Sequence, residues 1–354
     1  MSHASRAIFR RWPVLAKTLP WTPLGDLPTR IDTVEVAASD GTSRCMLIKR
    51  EDLCGDVYAG NKIRKLEFLL AEAKRRAATR LITVGAAGSH HALATTVHGR
   101  AQGFDVTLVL FPQPLTQHVR DVLQMDHAFG AEIRWANRME MVPVAMLQAR
   151  LAYRRDERFI IAPGGSDAVG TLGWIDAGLE IAEQVERGET PRPAVVHVAA
   201  GTLGTAAGLA LGFAAAGLDV PIAATRITSR LITNERALAT LVRGAEAILQ
   251  SAGVRVTVER ALRMVRIRHG QIGRGYGHET EASAFALASF AHAGLRLDDT
   301  YTAKAAAEAL SPGEAEPVLF IHTLSAVEPI DRVRIDPTDL PVAVAAYLAQ
   351  ERRG

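Results

Sequence analysis

The sequence predicts an α/β protein with open, mainly parallel twisted sheets gathered into two interlocked lobes. Three observations point there. The chain has 354 residues, too many for one small core. Strand-like and helix-like segments alternate through its centre, and glycine-rich turns stand where strands give way to helices.

The elements follow in order. Arg80–Val84 (RLITV) reads as a buried strand, then come a small-residue turn and a helix from about His90 to Gln102. Asp105–Phe111 (DVTLVLF) is the next strand, stopped by Pro112 and Pro114. A helix near Leu115–Ala128 and a strand near Glu132–Trp135 complete a second unit. Phe159–Ile161 is short and apolar and leads into Pro163-Gly164-Gly165-Ser166. Gly170–Val185 reads as a helix, Ala194–Ala199 (AVVHVA) as a buried strand, and Pro317–His322 as the last core strand. The polar segment Glu186–Pro193 is a surface loop or a lobe boundary.

Composition narrows the function. Hydrophobic residues make up 48% and charged residues 22%, as in ordinary globular proteins. A net charge of +3, from 41 basic against 38 acidic residues spread along the chain, leaves no basic stripe for nucleic acid. No stretch is apolar and long enough to span a bilayer. Cys45 and Cys54, on either side of a strand, are too few for a disulfide framework and suit a reduced, cytoplasmic setting. The basic start (Arg6, Arg10, Arg11, Lys17) has no signal-peptide core, and it reads as a transit-like segment or an arm packed on the body.

Chemistry is concentrated in three turns. Lysine is scarce, with six in all, and Lys62 sits in Gly60-Asn61-Lys62 at the start of an amphipathic helix carrying Leu66, Leu69, Leu70, Ala73 and Ala77. The positive end of that helix, with burial, would favour a neutral, aldehyde-attacking amine. On spacing alone, a solvated loop lysine is the favoured reading. The second turn is Gly201-Thr202-Leu203-Gly204-Thr205, between a buried strand and a helix at Ala206–Ala216. Its amides and the Thr205 hydroxyl suit a monophosphate. It lacks the lysine of a nucleoside-triphosphate loop and the third glycine of a dinucleotide fingerprint. The glycines could equally just turn a corner. The third turn is Gly85-Ala86-Ala87-Gly88-Ser89-His90-His91, where Ser89 is an N-cap and the amides after it can receive a carboxylate. A metal reading of His90, His91, His98 and His322 is poor. Adjacent histidines on a helix diverge and no carboxylate accompanies the helical ones, so no metal is expected. A lysine, a phosphate cradle and a carboxylate cradle, with Tyr276 and Tyr301 downstream, are what an amino acid bound to pyridoxal phosphate would require.

These motifs resemble a known group. Thr22-Pro23-Leu24, Lys49-Arg50-Glu51-Asp52-Leu53 and the specific run Gly60-Asn61-Lys62-Ile63-Arg64-Lys65-Leu66-Glu67 come first. Pro163–Ser166 with Gly170 and Gly173, Gly201–Gly208, Gly275-Tyr276-Gly277, Leu297–Lys304 and His322-Thr323 follow in the same order. From Thr22 to His322 the chain resembles the fold-type II, tryptophan-synthase-β-like pyridoxal-phosphate enzymes. Within them it resembles the aminocyclopropanecarboxylate deaminase and D-cysteine desulfhydrase family.

The resemblance implies a larger cofactor-binding domain from residues 1–65 and 173–354, with residues 66–172 as a smaller inserted domain. It implies Lys62 as the Schiff-base lysine that also moves the Cα proton, with Asn61 beside it. Gly201, Thr202, Leu203, Gly204 and Thr205 would hold the phosphate, and Ser89 the substrate carboxylate. Tyr276 and Tyr301 would flank the ring or the substrate, and Thr302 or Thr323 would face the pyridine nitrogen. Thr302 stands where the deaminase branch has a glutamate. A hydroxyl cannot hold a proton on the ring nitrogen as a carboxylate can, which favours β-elimination over cyclopropane opening. The expected reaction gives pyruvate and ammonia from a small amino acid, in a cytoplasmic homodimer. Ring opening, or cofactor binding without turnover, is the alternative. Three departures from the family stand out: His90 for an asparagine at the cofactor's phenolic oxygen, Leu203 for a glycine, and Leu324-Ser325 for a glycine pair.

Overall fold

Aliphatic and β-branched runs form ten strands in two sheets in the computed structural model, which describes residues 3–332 and 339–349. The larger sheet has the order β1-β2-β10-β7-β8-β9, with β1 Ile31–Ala37, β2 Ser43–Lys49, β7 Val195–Ala200, β8 Ile222–Arg226, β9 Val265–Arg268 and β10 Val318–Ile321. Only the β1–β2 hairpin is antiparallel. The smaller sheet is wholly parallel, in the order β5-β4-β3-β6, with β3 Arg80–Ala86, β4 Asp105–Phe111, β5 Ala131–Trp135 and β6 Arg158–Ile160. Strands covered on both faces are mostly apolar, as in β4, buried from Val106 to Leu110 with Thr107 as its one polar residue in that stretch.

The helix Lys62–Arg75 ends before Ala77, which takes a left-handed φ of 55°, so Ala77 is not part of its apolar stripe. Thr116 caps Gln117–Ala128 by accepting from the Val119 amide, which places the start of that helix two residues after Leu115. Residues 187–194 link helix Ala168–Glu186 to β7 inside the larger lobe, so the Glu186–Pro193 segment is a loop there and not a lobe boundary. Cys45 lies within β2 and Cys54 beyond it, and both are free. The N-terminal segment is built into the larger lobe: Ile8 and Phe9 join its core, and buried Arg6 donates to the Glu67 carboxylate at 3.0 Å.

Helices Lys62–Arg75 and Ala168–Glu186 tie the lobes together. They cross so closely that a Cβ on Gly173 would lie 1.9 Å from the Arg64 carbonyl oxygen. Beside the crossing, buried Arg64 donates to Glu51 at 2.7 Å and to Glu180 at 3.0 Å, and Lys49 pairs with Glu180 as well. Sequence boundaries at 65/66 and 172/173 therefore fall inside these two helices. The smaller lobe's core takes in Leu66, Leu69 and Leu70, and also Leu340, Val344 and Tyr347 near the C-terminus.

The parallel topology decides where a site can form. Turns after β3, β4, β5 and β6 leave the carboxyl edge of one sheet, and those after β7, β8, β9 and β10 leave the same edge of the other. The space between the two carboxyl edges is where open α/β sheets bind ligands.

Candidate active site

A cavity of about 810 Å³ occupies that space, and the three turns singled out in the sequence all line it. Lys62 stands on the first turn of its helix, half-buried, with its remaining exposure toward the cavity. Loss of hydration pushes its amine from 10.5 down to about 8, against a smaller opposing pull from the Asp298 carboxylate. That shift enlarges the neutral, nucleophilic fraction of the amine over that of a solvated lysine.

One turn further along the same helix face lies Lys65, a residue the sequence reading left without a role. Its Nζ donates to the Gly164 carbonyl at 3.0 Å and to Ser166 Oγ at 2.9 Å. Burial, with the Lys62 charge second, holds it well below the usual lysine range. The i, i+3 spacing from Lys62 is the signal that could have found it.

The Gly201–Thr205 turn has the form of an anion cradle. Leu203 takes a left-handed φ of 63° with its side chain in the core, a conformation a glycine adopts without strain. It swings the chain into helix Gly204–Ala216, whose first amides have no helical partner. A Cβ at Gly204 would sit 2.5 Å from Ser166 Oγ and 2.9 Å from Lys65 Nζ, so only glycine leaves the cradle open. Thr202 Oγ1 bonds Ser166 Oγ at 2.6 Å, and Asn61 Nδ2 reaches Thr205 Oγ1 at 3.4 Å. Amides, hydroxyls and one amine around a gap suit a phosphate monoester.

Across the cavity, Ser89 caps helix His90–Ala101 by accepting from the Ala92 amide at 3.3 Å. The Tyr276 and Tyr301 hydroxyls bond each other at 2.7 Å, their rings edge to face. His90 Nδ1 lies 2.7 Å from the Tyr58 hydroxyl, and its ring packs 4.6 Å from that of His118. Burial, then the His118 ring, push His90 down to about 3, so it is neutral near pH 7. Burial also raises Tyr58, which keeps its proton near pH 7; with that phenol donating to Nδ1, His90 would carry its own proton on Nε2.

The histidines do not converge. His91 Nε2 pairs with Thr83 Oγ1 at 2.9 Å, His98 Nε2 with the Tyr58 carbonyl at 2.9 Å, and His322 lies 3.7 Å from the Asp52 carboxylate. Of the two threonines proposed to face a ring nitrogen, Thr323 lines the cavity and Thr302 does not. Buried Thr302 donates its hydroxyl to Asp298 at 2.6 Å, and Asp298 also accepts from the amides of Thr300, Tyr301 and Thr302. Burial works against that carboxyl's ionisation, but the neighbouring His90, with the hydrogen bonds from Thr302 and Tyr301, outweighs it and holds the group below the usual aspartate range.

Residues 22–323 match the family model described as "Pyridoxal-phosphate dependent enzyme". The chain belongs to that family. Among known members, it is 35% identical over 325 residues to the Nocardicin C-9' epimerase of Nocardia uniformis subsp. tsuyamanensis, covering 88% of this chain and 94% of that protein. It is 30% identical over 328 residues to the D-cysteine desulfhydrase of Salmonella schwarzengrund, covering 88% and 94% respectively. A solved structure titled as an ACC deaminase homologue superposes with a TM-score of 0.72 at 28% identity, over 90% of this chain and 95% of that one. The fold is therefore that of the tryptophan-synthase-β-like pyridoxal-phosphate enzymes, and the cofactor is pyridoxal phosphate. The cavity fits that cofactor: the Gly204 cradle suits its phosphate and the desolvated Lys62 amine suits its aldehyde.

Proposed function

We propose that the chain is a lyase that removes the Cα proton of an amino acid and expels a β-substituent, the reaction type of a D-cysteine desulfhydrase. The observation that carries this reading is Lys62, an amine brought down to about 8 inside a cavity that also holds an anion cradle and a capped helix start. Bound pyridoxal phosphate supplies an electron sink for the charge left at Cα. Lys62 would hold the cofactor through Nζ and, once released, take the Cα proton. Gly201, Thr202, Leu203, Gly204, Thr205 and Lys65 would grip the phosphate, Asn61 would brace Thr205, and the Ser89 turn would take the carboxylate.

His90, in its Nε2–H form, would donate to the phenolic oxygen. The Tyr276–Tyr301 pair would flank the substrate and shuttle a proton to the departing group. Thr323 supplies a hydroxyl rather than a carboxylate toward the ring nitrogen, a modest sink that suits loss of a thiolate. For cysteine, the Cα–H and Cβ–S bonds break, the sulfur leaves with its electron pair and takes a proton, and water converts the remaining enamine to pyruvate and ammonium. We place the enzyme in a reduced cytoplasm as a homodimer, with the larger lobe supplying the phosphate cradle and the smaller lobe the turn for the substrate carboxylate.

Similarity to the epimerase favours a second reading with the same first step, in which Cα is reprotonated from the opposite face and nothing leaves. One assay separates them. Holoenzyme is incubated in D₂O with D- and L-cysteine and with 1-aminocyclopropane-1-carboxylate, following keto acid, sulfide and the Cα isotope. Pyruvate and sulfide from cysteine support elimination. Deuterium at an inverted Cα without pyruvate supports epimerisation, and a four-carbon keto acid would overturn the desulfhydrase reading.

A further inference from the structure

We infer that the amino acid taken by this chain carries an extended apolar side chain, seated on a wall shared by the two lobes. The inference rests on the reading that an amino-acid Cα lies at Lys62, and it holds whether the β-substituent leaves or stays. At about 810 Å³ the cavity is near the upper end of the roughly 300–1,000 Å³ of pockets for drug-sized ligands. Lys62, Lys65, Ser89 and the Gly201–Thr205 turn stand where the cofactor and carboxylate belong, and further polar groups, among them Gln113, Thr228 and Ser229, are interspersed along the lining.

One stretch of the lining is mainly apolar. Phe111 ends β4 and Pro114 follows it, Met139 and Val142 follow β5, Ile232 follows β8 and Ile272 follows β9. Met139 is 57% exposed and Ile232 44% exposed, large apolar side chains held in water at the cavity's edge. A substrate as small and polar as cysteine would leave them there, while an apolar chain would cover them.

The wall is also preformed. Thr228 donates to the Gly201 carbonyl at 3.0 Å and bonds Thr233 at 2.6 Å, tying the loop that carries Ile232 to the phosphate turn. On the other side, Gln113 accepts from the Gly88 amide at 3.1 Å, and the Tyr347 hydroxyl donates to the Gln113 carbonyl at 2.6 Å. These bonds fix the segment between Phe111 and Pro114 and occupy the Gln113 carbonyl groups. Met139 is unbranched and can follow substrates of different shape.

The test is calorimetric titration of the holoenzyme with alanine, norvaline, norleucine and homophenylalanine, each as both enantiomers. For the accepted enantiomer, Kd is expected to fall about fourfold per added methylene. The double variant Met139→Ser with Ile232→Ser is expected to bind homophenylalanine at least tenfold more weakly and alanine unchanged. Both residues are exposed, so the fold is not at risk. A flat or rising Kd along the series, or equal weakening of alanine and homophenylalanine in the variant, overturns the inference. Graded binding with no pyruvate from cysteine overturns elimination and leaves the wall standing. Pyruvate from cysteine with flat binding does the reverse.

Discussion

Capture of pyridoxal phosphate by the apo protein should titrate as a buried amine does. Burial moves Lys62 from 10.5 to about 8. At pH 7 about a tenth of the molecules then carry the neutral, reactive amine, about 300 times the fraction of an ordinary lysine. The second-order rate constant, followed by the visible absorbance of the lysine adduct, should rise about tenfold per pH unit up to about 8 and then level. Stability follows the same displacement with a worked sign. A lysine lowered in the folded state costs stability in full below about 8, where the fold must keep the proton on a desolvated amine, and the cost fades as pH rises toward 10.5. The apo protein should recover about 3 kcal/mol from this group as pH climbs from 8 through 10.5, where the unfolded chain alone still binds the proton. Substituting Lys62→Met should remove both the capture and this part of the pH dependence. A rate that keeps rising tenfold per unit to pH 10 would refute the reasoning, because it would mark Lys62 as a solvated lysine.

Three further outcomes follow from the same geometry. Gly204→Ala puts a methyl 2.5 Å from Ser166 Oγ, so cofactor affinity by equilibrium dialysis should drop at least tenfold while apo-protein melting stays nearly unchanged. Lys65→Met removes an amine donor to a charged phosphate at the cradle and should weaken cofactor binding about 10- to 100-fold, with colour restored at saturating cofactor. Arg64→Met leaves buried Glu51, Asp176 and Glu180 without their shared cation, and denaturant unfolding should show a loss of about 3–5 kcal/mol.

Much of the centre of the fold was legible because its strands are largely apolar runs near glycine or proline, as in Asp105–Phe111. The region after β7 was harder to read. β8 is Ile-Ala-Ala-Thr-Arg, too small-sided to announce a strand, and β9 alternates Val-Arg-Ile-Arg over four residues on the sheet edge. The C-terminal helix Val342–Leu348 packs on the smaller lobe, a tertiary choice that chain order does not reveal.

The site divides in the same way. Lys62, Ser89 and the Gly201–Thr205 turn were readable because helix starts and glycine turns have local signatures. Lys65 and Ser166 meet only because Gly164 and Gly165 both take left-handed φ, folding that turn back onto the helix. Thr302 looked available because it follows Tyr301, but Asp298, four residues earlier, takes its hydroxyl at the helix start.

The claim that Lys62 holds the cofactor is tested most directly by reducing the holoenzyme with borohydride and mapping the modified lysine by peptide mass spectrometry. Lys65 is the sharpest competitor, since it lines the same cavity and burial lowers it too. A single pyridoxyl label on Lys62 is the predicted result. A label on Lys65 or any other lysine, or no label on a protein that binds the cofactor, would contradict it.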